Sequence, residues 1–205
     1  GLDALWIDPA HKEVAIINGY TVVDPATVIS THMSELVKKY AEELLTRQET
    51  QSLIEKIKND YPVVVDDLLK VANVGLIQRV FKALLHERVP LKDMITILET
   101  MADVSEYTKS VDIITEHVRA KLSRIITQQY TSPDGVIKLL TFDTMSEQMM
   151  LENTSERDGT KQLLLNVGEI NGLIQATSAK ATELLQKGIS PIIVIVDPKL
   201  RRPLS

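Results

Sequence analysis

The sequence contains no cysteine, few aromatic residues and no long hydrophobic run, and each shortage excludes a class of structure or site. Without cysteine, the chain forms neither disulfides nor thiolate metal sites. Aromatic residues make up 4% of the chain, so a core of Leu, Ile and Val is expected and a wide aromatic ligand pocket is not. The longest apolar run, 192–196, is far shorter than the roughly 20 residues that a membrane helix needs.

The chain also lacks an excess of positive charge, since its formal net charge is -5. Binding to a phosphate backbone depends on clustered Lys and Arg, so this balance argues against a nucleic-acid partner. Its 44% hydrophobic and 25% charged residues are typical of a folded protein. The 205 residues allow two compact units plus a fragment of another, and the missing initiator Met indicates a piece of a longer protein.

Residues 1–46 predict an alternation of strands and helices. The dipeptides Asp8-Pro9 and Asp24-Pro25 each place an N-cap before a proline, which is typical of a helix start. Short apolar runs precede both dipeptides, so we predict strands at Ala4–Ile7 and Tyr20–Val23. Helices should follow from Pro9 to about Asn18 and from Pro25 to about residue 45. This is too little chain to bury a sheet by itself.

The rest of the chain predicts a helical domain followed by an α/β domain. Thr46 and Glu49 have the spacing of a capping box, and four or five amphipathic helices should follow up to residue 129. A turn cluster at 131–135 marks a domain boundary. Beyond it we predict strands at 136–142 and 192–196, a short helix at 143–152, a loop at 152–161 and a long helix from Asn166 to Gly188.

Together these patterns predict an α+β multidomain fold that is predominantly α. Residues 1–46 would be a partial α/β N-terminal unit, residues 47–129 a central helical domain, and residues 130–205 a C-terminal α/β domain.

No motif in the chain predicts catalysis or a cofactor. The four histidines are far apart in the sequence, and no metal-binding spacing or phosphate-binding glycine loop occurs. Asp197 follows a strand-like run, where doubly wound folds place ligands, so a small α/β enzyme or phosphoacceptor remains an alternative. We favour Asp197 as the N-cap of a helix that begins at Pro198, because no second acidic cluster or lysine partner accompanies it.

A second alternative rests on a cluster of basic residues. Arg119, Lys121 and Arg124 lie on or beside one predicted helix, as in a winged-helix-like nucleic-acid binder. Asp112 and Glu116 lie on the same helix, so a mixed-charge solvent face is favoured.

Three segments resemble the FHIPEP family of export-gate proteins, in matching order and spacing. Residues 19–32 read GYTVVDPATVISTH, residues 44–51 read LLTRQETQ, and residues 80–100 read VFKALLHERVPLKDMITILET. The departures are mild, with Phe81 where Leu is usual and Lys92 where Arg is usual. The resemblance covers residues 4–129 well and is thinner beyond, although 191–202 is also similar. It matches the flagellar branch of type III secretion better than the injectisome branch.

The resemblance implies a function in protein export without catalysis. Family members carry four cytoplasmic subdomains behind membrane helices, at the inner membrane, and their cytoplasmic parts form a ring of nine subunits. Residues 1–46 would hold parts of the first two subdomains, residues 47–129 the third, and residues 130–205 part of the fourth. The family receives export chaperone–substrate complexes and contacts the secretion ATPase complex and other gate components.

The resemblance also implies a binding site. Chaperones dock in a hydrophobic dimple between the first two subdomains, and Val23, Val28 and Thr31 occupy matching positions. The opposite wall is expected upstream of residue 1. From the residues alone, core packing of Val23 and Val28 is the favoured interpretation.

Overall fold

The computed structural model describes residues 4–157 and 160–204. The chain divides into two compact units, Gly1–Leu44 and Leu45–Ser205. We describe each unit by itself.

Helices are the only regular elements in the described part of the first unit. A 3-10 turn, Pro9–His11, leads into α1 (Lys12–Ile17), and α2 (Pro25–Lys39) is followed by α3 (Ala41–Leu44). The predicted helices are thus present, with a break at Tyr40. The predicted strands at Ala4–Ile7 and Tyr20–Val23 are wrong, because a strand needs a neighbouring strand for its hydrogen bonds and residues 4–44 form no ladder. Residues 4–44 therefore do not show the α/β character that the sequence predicts for this unit.

Six helices occupy the first half of the second unit, where four or five were expected. They are α4 (Arg47–Asp60), α5 (Pro62–Val71), α6 (Val74–His86), α7 (Met94–Ser105), α8 (Val111–Lys121) and α9 (Ser123–Tyr130). Their starts follow local chemistry, since Thr46, Asn73, Asp93 and Ser110 each accept a hydrogen bond from a backbone N–H three residues later.

The main hydrophobic core lies among these six helices. Helix α6 contributes most to it, because its apolar stripe is fully buried: Ile77, Val80, Phe81 and Leu84. Helix α5 packs against α7, and α8 packs against both α6 and α7. Ile97, Leu98 and Met101 of α7 and Ile114 and Val118 of α8 complete the centre of the core.

The remainder of the second unit combines short strands with helices. In chain order these are β1 (Leu140–Thr141), α10 (Thr144–Glu152), β2 (Thr154–Arg157), β3 (Thr160–Leu163), α11 (Val167–Gln186), β4 (Val194–Ile195) and α12 (Pro198–Leu204). Strands β1 and β4 pair in parallel, with Leu140 opposite Val194, whereas β2 and β3 form an antiparallel hairpin.

Two sequence predictions need correction here. The strands expected at 136–142 and 192–196 are each reduced to two paired residues, because only this stretch of the two segments faces a partner. The segment 152–161 is not a simple loop, because Thr154–Arg157 pairs with Thr160–Leu163. Its polar composition concealed the hairpin, and residues 158–159 lie outside the described residues.

The fold class is thus mixed α+β with helices dominant. The finer division at 46 and 129 stays a prediction.

Candidate docking surface

Local sequence determines where α2 begins. Gly19 lies in the turn that follows α1. Its φ of +82° is a backbone conformation that glycine adopts without strain. Asp24 then caps α2: its carboxylate accepts hydrogen bonds from the Thr27 backbone N–H (2.9 Å) and the Thr27 hydroxyl (2.5 Å). These hydrogen bonds lower the pKa of Asp24 below its ordinary value. Pro25 occupies the first turn, so the entry into α2 is fixed.

The three candidate site residues lie at this entry and are all exposed. Val23 directly precedes the cap and is 55% exposed, while Val28, in the first turns of α2, is 40% exposed. Thr31 is exposed three residues further on. At about 100° per residue, Val28 and Thr31 are only about 60° apart around the helix axis, so they share one side of α2.

A second set of apolar residues follows a different side of α2. These residues are Ile29, Met33, Val37 and Tyr40, and all of them are exposed. At the same angular spacing, the centre of this stripe lies about 130° from Val28 and about 170° from Thr31. Val28 and Thr31 therefore form a small surface that is separate from the main apolar stripe of the helix. Helical periodicity in the sequence gives no signal for this separation, because all of these residues occur at helical spacing.

Asp197 has a structural role in this fold. Its carboxylate accepts a hydrogen bond from the Lys199 backbone N–H (2.8 Å) at the start of α12, as the N-cap interpretation predicted. Its own backbone N–H donates to Glu147 Oε1 (2.8 Å). Within residues 4–157 and 160–204, no three His, Asp or Glu side chains lie close enough to hold a metal ion.

The basic cluster is not one continuous face. Lys121 and Arg124 are exposed, but the Arg119 side chain is only 15% exposed and makes an ion pair with Glu87. Burial lowers the pKa of Arg119, and the Glu87 carboxylate opposes this shift. An arginine turned inward cannot reach a phosphate backbone, so the geometry disfavours the nucleic-acid interpretation. Sequence reasoning missed the pairing because Glu87 belongs to another element.

Comparison with models of protein families shows which family the chain belongs to. The model of the FHIPEP family matches residues 1–205. The chain belongs to the FHIPEP family. FHIPEP proteins are components of protein-export apparatus and are not enzymes.

Relatives of the chain are flagellar FHIPEP proteins. The flagellar biosynthesis protein FlhA of Helicobacter pylori is 53% identical over 206 residues, which cover 100% of this chain and 28% of that protein. FlhA of Bacillus subtilis is 37% identical, over 98% of this chain and 30% of that protein. The chain thus spans under a third of the length of these FHIPEP relatives.

Several solved structures share the fold of this chain. The CdsV protein of Chlamydia pneumoniae superimposes with a TM-score of 0.83 at 22% identity, over 100% of this chain and 58% of that one. A chain of the C. pneumoniae CdsV–CdsO complex superimposes with a TM-score of 0.79 at 21% identity, over 95% of this chain and 64% of that one. The nonameric EPEC SctV-C superimposes with a TM-score of 0.74 at 23% identity, over 96% of this chain and 59% of that one. At these identities the likeness concerns the fold alone.

No helix within the described residues combines the length and the apolar character that crossing a membrane requires.

Proposed function

We propose that this chain is part of the cytoplasmic docking platform of a flagellar type III export gate. In this proposal the platform lies at the cytoplasmic face of the bacterial inner membrane and receives export chaperones with their substrates. The FlhA protein at 53% identity supports the flagellar branch. Val23, Val28 and Thr31 are the proposed contact residues for the chaperone.

The exposed pair of Val28 and Thr31 carries the proposal. The two side chains share one side of α2 at its capped end, where Asp24 and Pro25 hold the backbone. A small apolar surface with one hydroxyl suits the anchor residues of a visiting helix or peptide. The opposed stripe of Ile29, Met33, Val37 and Tyr40 leaves this side of α2 available for a separate contact.

Replacing Val28 tests the proposal in the complete cytoplasmic domain. Val28→Asp puts a charge into an apolar contact, so we expect chaperone–substrate affinity to fall at least about tenfold. Calorimetric titration measures the affinity, and circular dichroism should be unchanged because Val28 is exposed.

Ser30→Asp is the matched control, since Ser30 lies about 160° from Val28 around α2 and is also exposed. It adds the same charge to the same helix and should leave affinity unchanged. Equal affinity of the Val28 variant and the unaltered domain would remove Val28 from the site. Equal losses in both variants would indicate a general charge effect.

We also propose that the platform is a homo-oligomeric ring that contacts the secretion ATPase complex. The nonameric assembly of SctV-C supports the ring, and the CdsV–CdsO complex supports a protein partner, because one chain in each of these structures shares this fold. We propose the three-part division at 46 and 129 within this platform, with the helical core as its central domain.

A further inference from the structure

Two Asn-Gly pairs in the chain offer the same reactive chemistry in different surroundings. They are Asn18-Gly19, at the end of α1, and Asn171-Gly172, inside α11. In such a pair the backbone nitrogen of the glycine can attack the side-chain carbonyl carbon of the asparagine, because glycine has no side chain to shield its nitrogen and turns freely about its backbone bonds. The proposed docking function uses neither pair.

Exposure and crowding do not distinguish the two pairs. All four residues are exposed to solvent. A Cβ added at Gly19 or at Gly172 would meet nothing beyond the local backbone within 4 Å. Any difference in reactivity must therefore come from how firmly the backbone of each pair is held.

Helix α11 holds the second pair in its interior. Asn171 and Gly172 lie within the 20 helical residues Val167–Gln186, beyond the first turn, which a capping box fixes. The Gly172 N–H therefore belongs to the regular hydrogen-bond ladder of the helix. Attack on the Asn171 side chain requires this hydrogen bond to break and the backbone to leave its helical conformation.

The first pair lies instead in the turn that ends α1. Helix α1 has six residues and none of them is buried. The N–H groups of Gly19 and Tyr20 donate to the carbonyls of Ile16 and Ala15, each at 3.0 Å. Helices this short are marginal in water and helix ends fray, so these two hydrogen bonds open at low cost in free energy.

We propose that Asn18 is a site of spontaneous covalent modification and that α11 protects Asn171 from the same reaction. The Gly19 nitrogen forms a bond to Cγ of Asn18 and gives up its proton, while the Cγ–Nδ2 bond breaks and the amide nitrogen leaves as ammonia. Water then opens the resulting cyclic imide at either of its two carbonyl carbons. The product carries a carboxylate in place of the Asn18 amide, on an aspartyl or isoaspartyl backbone, and nothing is oxidised or reduced.

The modification weakens the end of α1. Asn18 Nδ2 donates a hydrogen bond to the carbonyl of Val14 (2.7 Å), and a carboxylate has no proton to donate there. A negative charge at the C-terminus of a helix also interacts unfavourably with the helix dipole. The modified turn therefore opens more readily than the original one.

Peptide mapping of the 205-residue chain tests the proposal. The chain is incubated at mildly alkaline pH, digested with trypsin and analysed by mass spectrometry, in which Asn18 falls in peptide 13–38 and Asn171 in peptide 162–180. We expect the carboxylate to form at Asn18 at least about tenfold faster than at Asn171, because the terminal turn of α1 opens at a lower free energy than the interior of α11. Equal rates, or a faster reaction at Asn171, would show that the proposal is wrong.

The same incubation in urea is the matched control for the fold. Unfolding gives both Asn-Gly pairs an open backbone, so the two rates should become nearly equal. A preference for Asn18 of about tenfold that persists in urea would mean that the fold does not protect Asn171, and it would overturn the proposal.

Two variants separate the reaction from its consequence. Asn18→Gln keeps a side-chain amide but enlarges the ring that must close, so the carboxylate should no longer accumulate in peptide 13–38. Asn18→Asp carries the charge of the product from the outset and should speed hydrogen exchange of the Gly19 and Tyr20 amides relative to Asn18→Gln, as measured by NMR. An undiminished reaction in the Gln variant contradicts the proposed site, and unchanged exchange in the Asp variant contradicts the proposed weakening of α1.

Discussion

At the scale of single residues, this chain repeats one device to begin helices after turns. Asp8, Asp24 and Asp197 each precede a proline, and each carboxylate accepts a backbone N–H two or three residues later. The carboxylate and the N–H that it accepts are only two or three residues apart, and the proline fixes φ between them. The geometry of the cap therefore depends on little else. Such caps were therefore predictable from the sequence.

Asp24 allows this device to be tested where it positions the candidate site. Its pKa is lowered chiefly by the hydrogen bond from the Thr27 hydroxyl. The ionised cap therefore stabilises α2 fully at pH values above 3.8, the ordinary pKa of Asp, and this stabilisation is lost as the pH falls through the lowered pKa. We expect the Thr27 amide shift to titrate with a midpoint below 3.8, as measured by NMR. Asp24→Asn should remove the titration but keep the cap, whereas Asp24→Ala should speed hydrogen exchange in the first turn of α2. A midpoint at or above 3.8 contradicts the prediction.

Arg119 shows what local pattern could not predict. Its neighbours Lys121 and Arg124 suggested one basic face, but Arg119 pairs with Glu87 beyond the end of α6 and lies near Arg201 of α12. Such pairings depend on how helices pack. The exposure of Val28 was equally unpredictable, and the assignment of Val23, Val28 and Thr31 rests on the family resemblance.

At the scale of elements, helices were easier to predict than strands. A helix makes its hydrogen bonds within itself, so its apolar period and caps are sufficient, as for the box formed by Asn166 and Glu169 at the start of α11. A strand needs a partner: Leu140 pairs with Val194 far along the chain, and Tyr20–Val23 has none among the described residues. The predicted strands were therefore too long or absent.

One lysine ties together the ends of two core helices. Lys109 Nζ donates to the carbonyl of Val71 (2.5 Å), the last residue of α5, and to that of Ser105, the last residue of α7. Carbonyls at helix ends have no partner within the helix, so the ammonium group compensates for both. This contact reinforces the packing of α5 against α7 in the core.

Replacing Lys109 should accordingly destabilise the chain more than replacing a lysine that makes only an exposed ion pair. We expect Lys109→Met to lower the free energy of unfolding by about 1–2 kcal/mol, measured by urea denaturation. Lys58→Met is the control, because Lys58 makes a half-exposed ion pair with Asp66, which is worth about 0–1 kcal/mol. Equal losses in the two variants would mean that Lys109 does not link the helices.

At the scale of the whole molecule, the buried core and the proposed docking residues lie in different parts of the chain. All of the buried hydrophobic residues described lie at or beyond Leu45, whereas residues 4–44 contribute none. Burial of apolar surface is the main source of folding free energy, so the helical region supplies most of it. The described part of the first unit instead exposes apolar side chains, which suits the proposed docking function.

Removing the first unit should therefore leave the core unchanged. We expect the chain 45–205 to unfold in urea at nearly the same midpoint as the 205-residue chain, because the core cluster is complete without residues 1–44. Ile77→Ala, at a fully buried position of α6, is the matched probe: it should cost about 2–5 kcal/mol in both chains, since the same cavity forms in each. A much lower midpoint for 45–205, or a smaller cost of Ile77→Ala in it, would show that the first unit contributes to the core. If the midpoints agree, mutations that abolish docking at Val28 can be interpreted as losses of contact, because the surface that they alter does not stabilise the fold.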